Sequence, residues 1–292
     1  MLLIAAASND AHAQAAWVGE QGSLDVGLDY NLGSSSKVLT GGDTPDFPDA
    51  GTTSHQITLG VEYVPIEKLA VDVGLPMSFL KYTGNQTAYP HPAGGTYDDG
   101  DMHATLTDLR IGARYAVLEE PVAIAPHIGV SIPVADYETV GNTVAGRHLI
   151  AAHVGLGIGK TFGMAYTQLV YELSIPQKYD EVADTKKYSQ LYSDLTFALG
   201  YKLLEGKLDL NLGLNFRQHH DGLDFDEITM WTPDELAYHD PVLKEQMLLL
   251  GGGIGYDITD KLSVSLAARA FVKGQNTQNA SVFGLGLAWR AL

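Results

Sequence analysis

The sequence contains no cysteine. That removes disulfides, thiolate nucleophiles and cysteine-ligated zinc together, and leaves the redox compartment undetermined. No apolar run approaches the roughly 18 residues of a transmembrane helix. Basic residues are scarce: 18 Lys and Arg stand against 35 Asp and Glu, for a formal net charge of −17. A phosphate backbone needs a basic face, so nucleic acid is excluded as a partner. Charged residues make up only 18% of the chain, against about 25% in ordinary soluble domains. Glycine and tyrosine are plentiful instead, 32 and 15 in 292 residues. The length suits two ordinary domains or one large β-barrel.

The chain opens "MLLIAAASNDAHAQAAW". A short apolar run, Leu2 to Ala7, leads to Ala13-Gln14-Ala15, a small-residue cleavage pattern, so residues 1–15 read as an export signal. The usual basic start is missing, because no Lys or Arg precedes Lys37. Residues 16–292 then form the mature domain.

The dominant pattern beyond this point is alternation. In "LTDLRIGARYAVLEEP", Asp108, Arg110, Gly112 and Arg114 share one face while Leu109, Ile111, Ala113 and Tyr115 share the other. Period two with unlike faces marks a strand between two environments. Twelve such segments recur, from Leu24–Tyr30 to Phe283–Trp289. Short turns such as "LEEP" and "DITDK" alternate with long polar stretches, of which 218–245 is the longest. Short turns at one end and longer loops at the other describe an all-β, 12-stranded antiparallel transmembrane β-barrel, with periplasmic turns and extracellular loops.

A soluble β-sandwich would also alternate. Three features favour the barrel: tyrosines at strand ends on the aliphatic face (Tyr30, Tyr63, Tyr115, Tyr201, Tyr256), a polar face poor in Lys, and loop lengths in step with strand number. The polar face then lines a lumen. Its candidate selectivity residues carry both signs: Asp72, Asp108, Glu172 and Asp194 against Arg110, Arg114, Arg217 and Arg269, with His127 beside them. Such charges either set a transverse field that selects a solute or pair across neighbouring strands and hold the barrel's shape; pairing is the expectation for most.

The stretches "TDLRIGARYAVL", "PHIGVSIPVADYE" and "HLIAAHVGLGIGKTFG" resemble a family of outer-membrane proteins associated with the meta-pathway of phenol degradation. Asp108, Gly112, Arg114 and Tyr115 match that family's Gly-Asp-x-x-apolar-Gly-x-basic-Tyr strand, with Thr107 in place of its first Gly. Pro133, Asp136 and Tyr137 match its following turn, where Ala135 replaces Gly. The resemblance covers roughly sixty residues. It implies an outer-membrane channel for small aromatic or apolar compounds; passage is expected to be passive and to need no cofactor. Because only about ten residues separate the expected cleavage site from the first strand, a plug, if there is one, is expected from an inward loop or another chain.

The remaining candidates lie in loops. Phe225, Trp231 and Tyr238 make 218–245 the expected gating loop. Asp98, Asp99 and Asp101 in "TYDDGD" are a weak candidate for a surface Ca²⁺. His219 and His220 point to opposite faces of an extended chain, poor geometry for one metal. No Gly-x-Ser-x-Gly elbow occurs, and the aliphatic face is expected to carry no histidine, which leaves no lipid-hydrolysing set. Expected partners are outer-membrane lipid and lipopolysaccharide and a small-molecule solute. The rival reading is a barrel that anchors, sheathes or receives an exported protein.

Overall fold

A computed structural model describes residues 16–41, 45–84, 98–178, 190–228 and 238–292. The expected export signal, residues 1–15, lies outside the described residues. Twelve long strands form the barrel: β1 Leu24–Ser34, β2 Thr52–Ile66, β3 Leu69–Tyr82, β4 Asp108–Tyr115, β5 Ala123–Pro133, β6 Ala151–Phe162, β7 Ala165–Pro176, β8 Tyr192–Leu203, β9 Leu208–His219, β10 Gln246–Thr259, β11 Leu262–Gln275 and β12 Ser281–Arg290. Each pairs antiparallel with its neighbours in the chain, and β1 pairs with β12, so the sheet closes and leaves no edge. Closure matters because hydrocarbon offers no partner to an open backbone group.

The alternation seen in the sequence sorts the two faces as expected. Outside lie Leu28, Leu59, Val73, Ile111, Ile128, Val154, Leu212 and Leu250, all exposed. In water this belt would be an apolar patch far beyond the few hundred Å² that soluble proteins tolerate; it fits the acyl chains of a bilayer. Tyr63, Tyr115, Phe162, Tyr201, Tyr256 and Trp289 sit exposed at the turn ends of their strands. They form the aromatic girdle of one membrane interface.

Two local departures have physical causes. β4 is preceded by a short strand, His103–Leu106, that also pairs with β3. The ladder breaks at Thr107, opposite Pro76, which has no N–H and whose carbonyl accepts the Thr107 amide at 3.1 Å. β2 begins four residues earlier than the alternation from Gln56 suggests, which carries His55 onto the outward face of Ile57. The expectation of no histidine there is therefore corrected: His55 Nδ1 lies 2.7 Å from the Tyr30 hydroxyl near the loop end of the barrel.

Candidate functional site

The lumen encloses a cavity of about 510 Å³. Strand register builds it in rows, because directly paired residues share a level and a face. One row runs Arg114, His127, Gly155, Glu172, Asp194, Arg217 across β4 to β9. Arg217 holds Asp194 with both arms of its fork, Nε at 2.8 Å and Nη2 at 3.0 Å. Glu172 is the hub of the row. It takes the Arg110 guanidinium, His127 Nε2 at 3.1 Å and His153 Nδ1 at 3.5 Å. His153 is fixed at the same nitrogen by Ser174 and at Nε2 by Ser131, each at 2.9 Å. Gly155 stands between His127 and Glu172 in the ladder, and any Cβ there would overlap the His127 ring and the Tyr171 carbonyl.

Arg114 pairs with Glu62 at 2.6 Å, both buried. Arg110, Arg114 and Arg217 are thus compensated across strands, as low-dielectric surroundings require. Arg269 differs. It lines the same cavity, and among the described residues no carboxylate comes within ion-pair distance of it. Asp72 faces Gly112, whose missing Cβ leaves room for the carboxylate. Asp108 accepts the Tyr137 hydroxyl at 2.5 Å. All nine lumen candidates from the sequence therefore line one cavity.

The turn end of the lumen is narrowed by a segment the sequence did not single out. Ala16 is fully buried, and its amide donates to Gln168 Oε1 at 3.2 Å. The Trp17 carbonyl accepts Arg114 Nε at 3.2 Å, and its ring meets Tyr166 edge-on at 6.3 Å. Gly159 makes this approach possible, since a Cβ there would strike the Trp17 ring. The expectation that a plug must come from a loop or another chain is corrected: the residues just before β1 enter the barrel themselves. Neither alternation nor a motif marks them.

The loop end is roofed. Leu223, Phe225 and Ile228, with Val242 and Leu243, pack on Leu149, and Val38, Phe47 and Tyr238 close around them. Phe225 and Phe47 meet at 5.6 Å between ring centres. Of the three expected gating residues, Phe225 and Tyr238 belong to this roof and Trp231 lies outside the described residues. Below it, His219 is fully buried while His220 turns the other way to Ser193, 2.9 Å distant. The acidic loop is not assembled around one point. Asp98 accepts the Asn142 amide, Asn142 Nδ2 and the Thr143 hydroxyl, and Asp99 turns to His103 at 2.9 Å. Among the described residues no three acidic or imidazole groups are grouped as metal ligands.

A closed, apolar-clad barrel around a polar cavity is a membrane-spanning barrel. Its likeness to solved structures is of the same kind. It superposes on the COG4313 outer membrane channel from Pseudomonas putida F1 with a TM-score of 0.72, at 12% identity over 94% of this chain and 97% of that one. The β domain of the Bordetella autotransporter BrkA gives 0.54 at 10% identity, covering 92% and 100%. The NanC porin gives 0.51 at 8% identity, covering 90% and 98%. No protein-family model and no curated protein matches the sequence. These likenesses establish the barrel fold.

Proposed function

We propose that the chain is a bacterial outer-membrane channel through which small molecules pass down their gradient, set in lipid with lipopolysaccharide around its loop end. The observation that carries this reading is the cavity itself: about 510 Å³ inside a closed barrel, lined from Tyr166 near the turns to Arg147 near the loops. Charges on its wall are mostly paired, so they shape a polar path without attracting a fixed counterion. The narrowing by Ala16 and Trp17 and the apolar roof restrict passage to small solutes. The sequence resemblance favours aromatic or apolar compounds, which the alanine, glycine and proline positions on the cavity wall accommodate.

The sheath reading is less well supported. A threaded polypeptide would have to displace both Trp17 and the packed roof before entering. Liposome swelling with the refolded barrel tests the channel reading. Swelling in small sugars or phenol, lost in protein-free vesicles and absent for large oligosaccharides, is the expected outcome; no swelling with any solute from a folded barrel would contradict it.

A further inference from the structure

Arg147 is a buried cation with two donors that find no partner among the described residues. It sits in the loop between β5 and β6, is 6% exposed and lines the outer end of the lumen cavity. Its Nη2 donates to His219 Nε2 at 2.5 Å. That ring is in turn held by Leu243, whose carbonyl takes the Nδ1 proton at 3.0 Å, so its other nitrogen is the acceptor. The partner is thus a neutral imidazole. Arg147 Nε and Nη1 are buried and have no hydrogen-bond partner. Among the described residues no carboxylate lies within 4.0 Å of the guanidinium, although Glu245 is bound nearby to Thr277 at 2.7 Å.

A second guanidinium adds to the imbalance. Arg147 and Arg217 both stand over the Tyr192 ring, at 5.1 and 5.0 Å, and only Arg217 has a carboxylate. A buried cation with two idle donors is costly unless an anion arrives. The segment that presents Arg147 is also firmly fixed: Tyr137 bridges the Asp108 carboxylate and the His148 amide, the latter at 3.0 Å. Beside the guanidinium, the same end of the cavity is walled by Leu149, Ala151, Pro176 and the Tyr192 ring. A charged donor pair thus adjoins an apolar wall.

We propose that Arg147 forms a binding subsite for the carboxylate of a small organic acid, whose apolar body lies against Leu149 and Tyr192. This rests on the channel reading for its biological setting, but the site itself does not require conduction. A carboxylate would satisfy Nε or Nη1 by charge-assisted hydrogen bonds. A neutral analogue would leave both donors idle. An inorganic anion would meet the charge and leave the apolar wall unused.

The test is calorimetric titration of benzoate into the purified full chain in detergent, with benzyl alcohol and chloride as comparison probes. Arg147→Met and Arg147→Lys are measured beside the wild type, with heat-modifiable migration as the check of folding. Expected is benzoate binding weakened about tenfold or more in Arg147→Met, partial retention in Arg147→Lys, and no comparable binding of benzyl alcohol or chloride. Arg147→Met should melt at or above the ligand-free wild type, since it removes an unsatisfied buried charge. Equal benzoate binding by wild type and Arg147→Met overturns the proposal. So does benzyl alcohol or chloride binding as tightly as benzoate. So, too, does a lower melting temperature of Arg147→Met with no benzoate effect, which assigns Arg147 to an internal pair with Glu245. Silent bilayers with intact benzoate binding would remove the channel reading and leave the subsite standing.

Discussion

Tyr137 donates its hydroxyl to Asp108 at 2.5 Å, joining the loop after β5 to the start of β4. The two residues come from the two stretches that carry the family resemblance, and the contact explains why a strand motif and a turn motif belong together. The same oxygen accepts the His148 amide at 3.0 Å and so fixes the backbone beside Arg147. Burial, reinforced by the Asp108 carboxylate, raises the Tyr137 phenol above its ordinary pKa and keeps it a donor.

Tyr137→Phe removes that donor and leaves Asp108 without its partner. The expected loss is about 1–3 kcal/mol, read from urea midpoints of the barrel refolded in vesicles. The pH dependence has a defined sign. A phenol whose folded pKa is raised contributes stability below its unfolded pKa of about 10, and that stability is lost as pH rises further. Wild type should therefore converge on Tyr137→Phe above pH 10, and equal slopes for both proteins across that range would contradict the contact.

Gly155 is the opening through which His127 reaches Glu172. Gly155→Val places atoms where the His127 ring and the Tyr171 carbonyl already lie. Overpacking of this kind costs about 1–3 kcal/mol. Because the backbone carbonyl cannot swing away, the loss should persist when His127→Ala is added. Full recovery in the double variant would show that the ring alone is crowded.

Depth in the bilayer can be read from the exterior. Leu212 lies outward in the middle of β9, and Leu204 lies in the turn before it, both exposed. Leu212→Arg should destabilise the barrel by about 2–4 kcal/mol and Leu204→Arg by about 0–1 kcal/mol. Equal effects at the two positions would argue against a membrane belt.

The strands were legible because each lies between two environments, so one side chain in two must be apolar; Leu208 to Phe216 shows the rule without interruption. Lumen charges followed from the same parity, and their pairing from register. What escaped was whatever alternation does not govern. His55 was missed because β2 runs past the polar residues that seemed to end it. Ala16 and Trp17 look like the remnant of an export signal, and the glycine at 159, far away in the sequence on β6, makes room for them. Arg147 sits in a loop where no period applies, and its burial depends on His219, 72 residues away.

The most direct test of the account is single-channel conductance of the heat-modifiable barrel in a planar bilayer, wild type against Trp17→Ala. A lumen that is continuous but narrowed at its turn end predicts small, steady steps for wild type and severalfold larger ones for Trp17→Ala, since the ring that fills the space over Gly159 is gone. Two silent, correctly folded proteins would contradict it and mean that the lumen is not a path across the membrane.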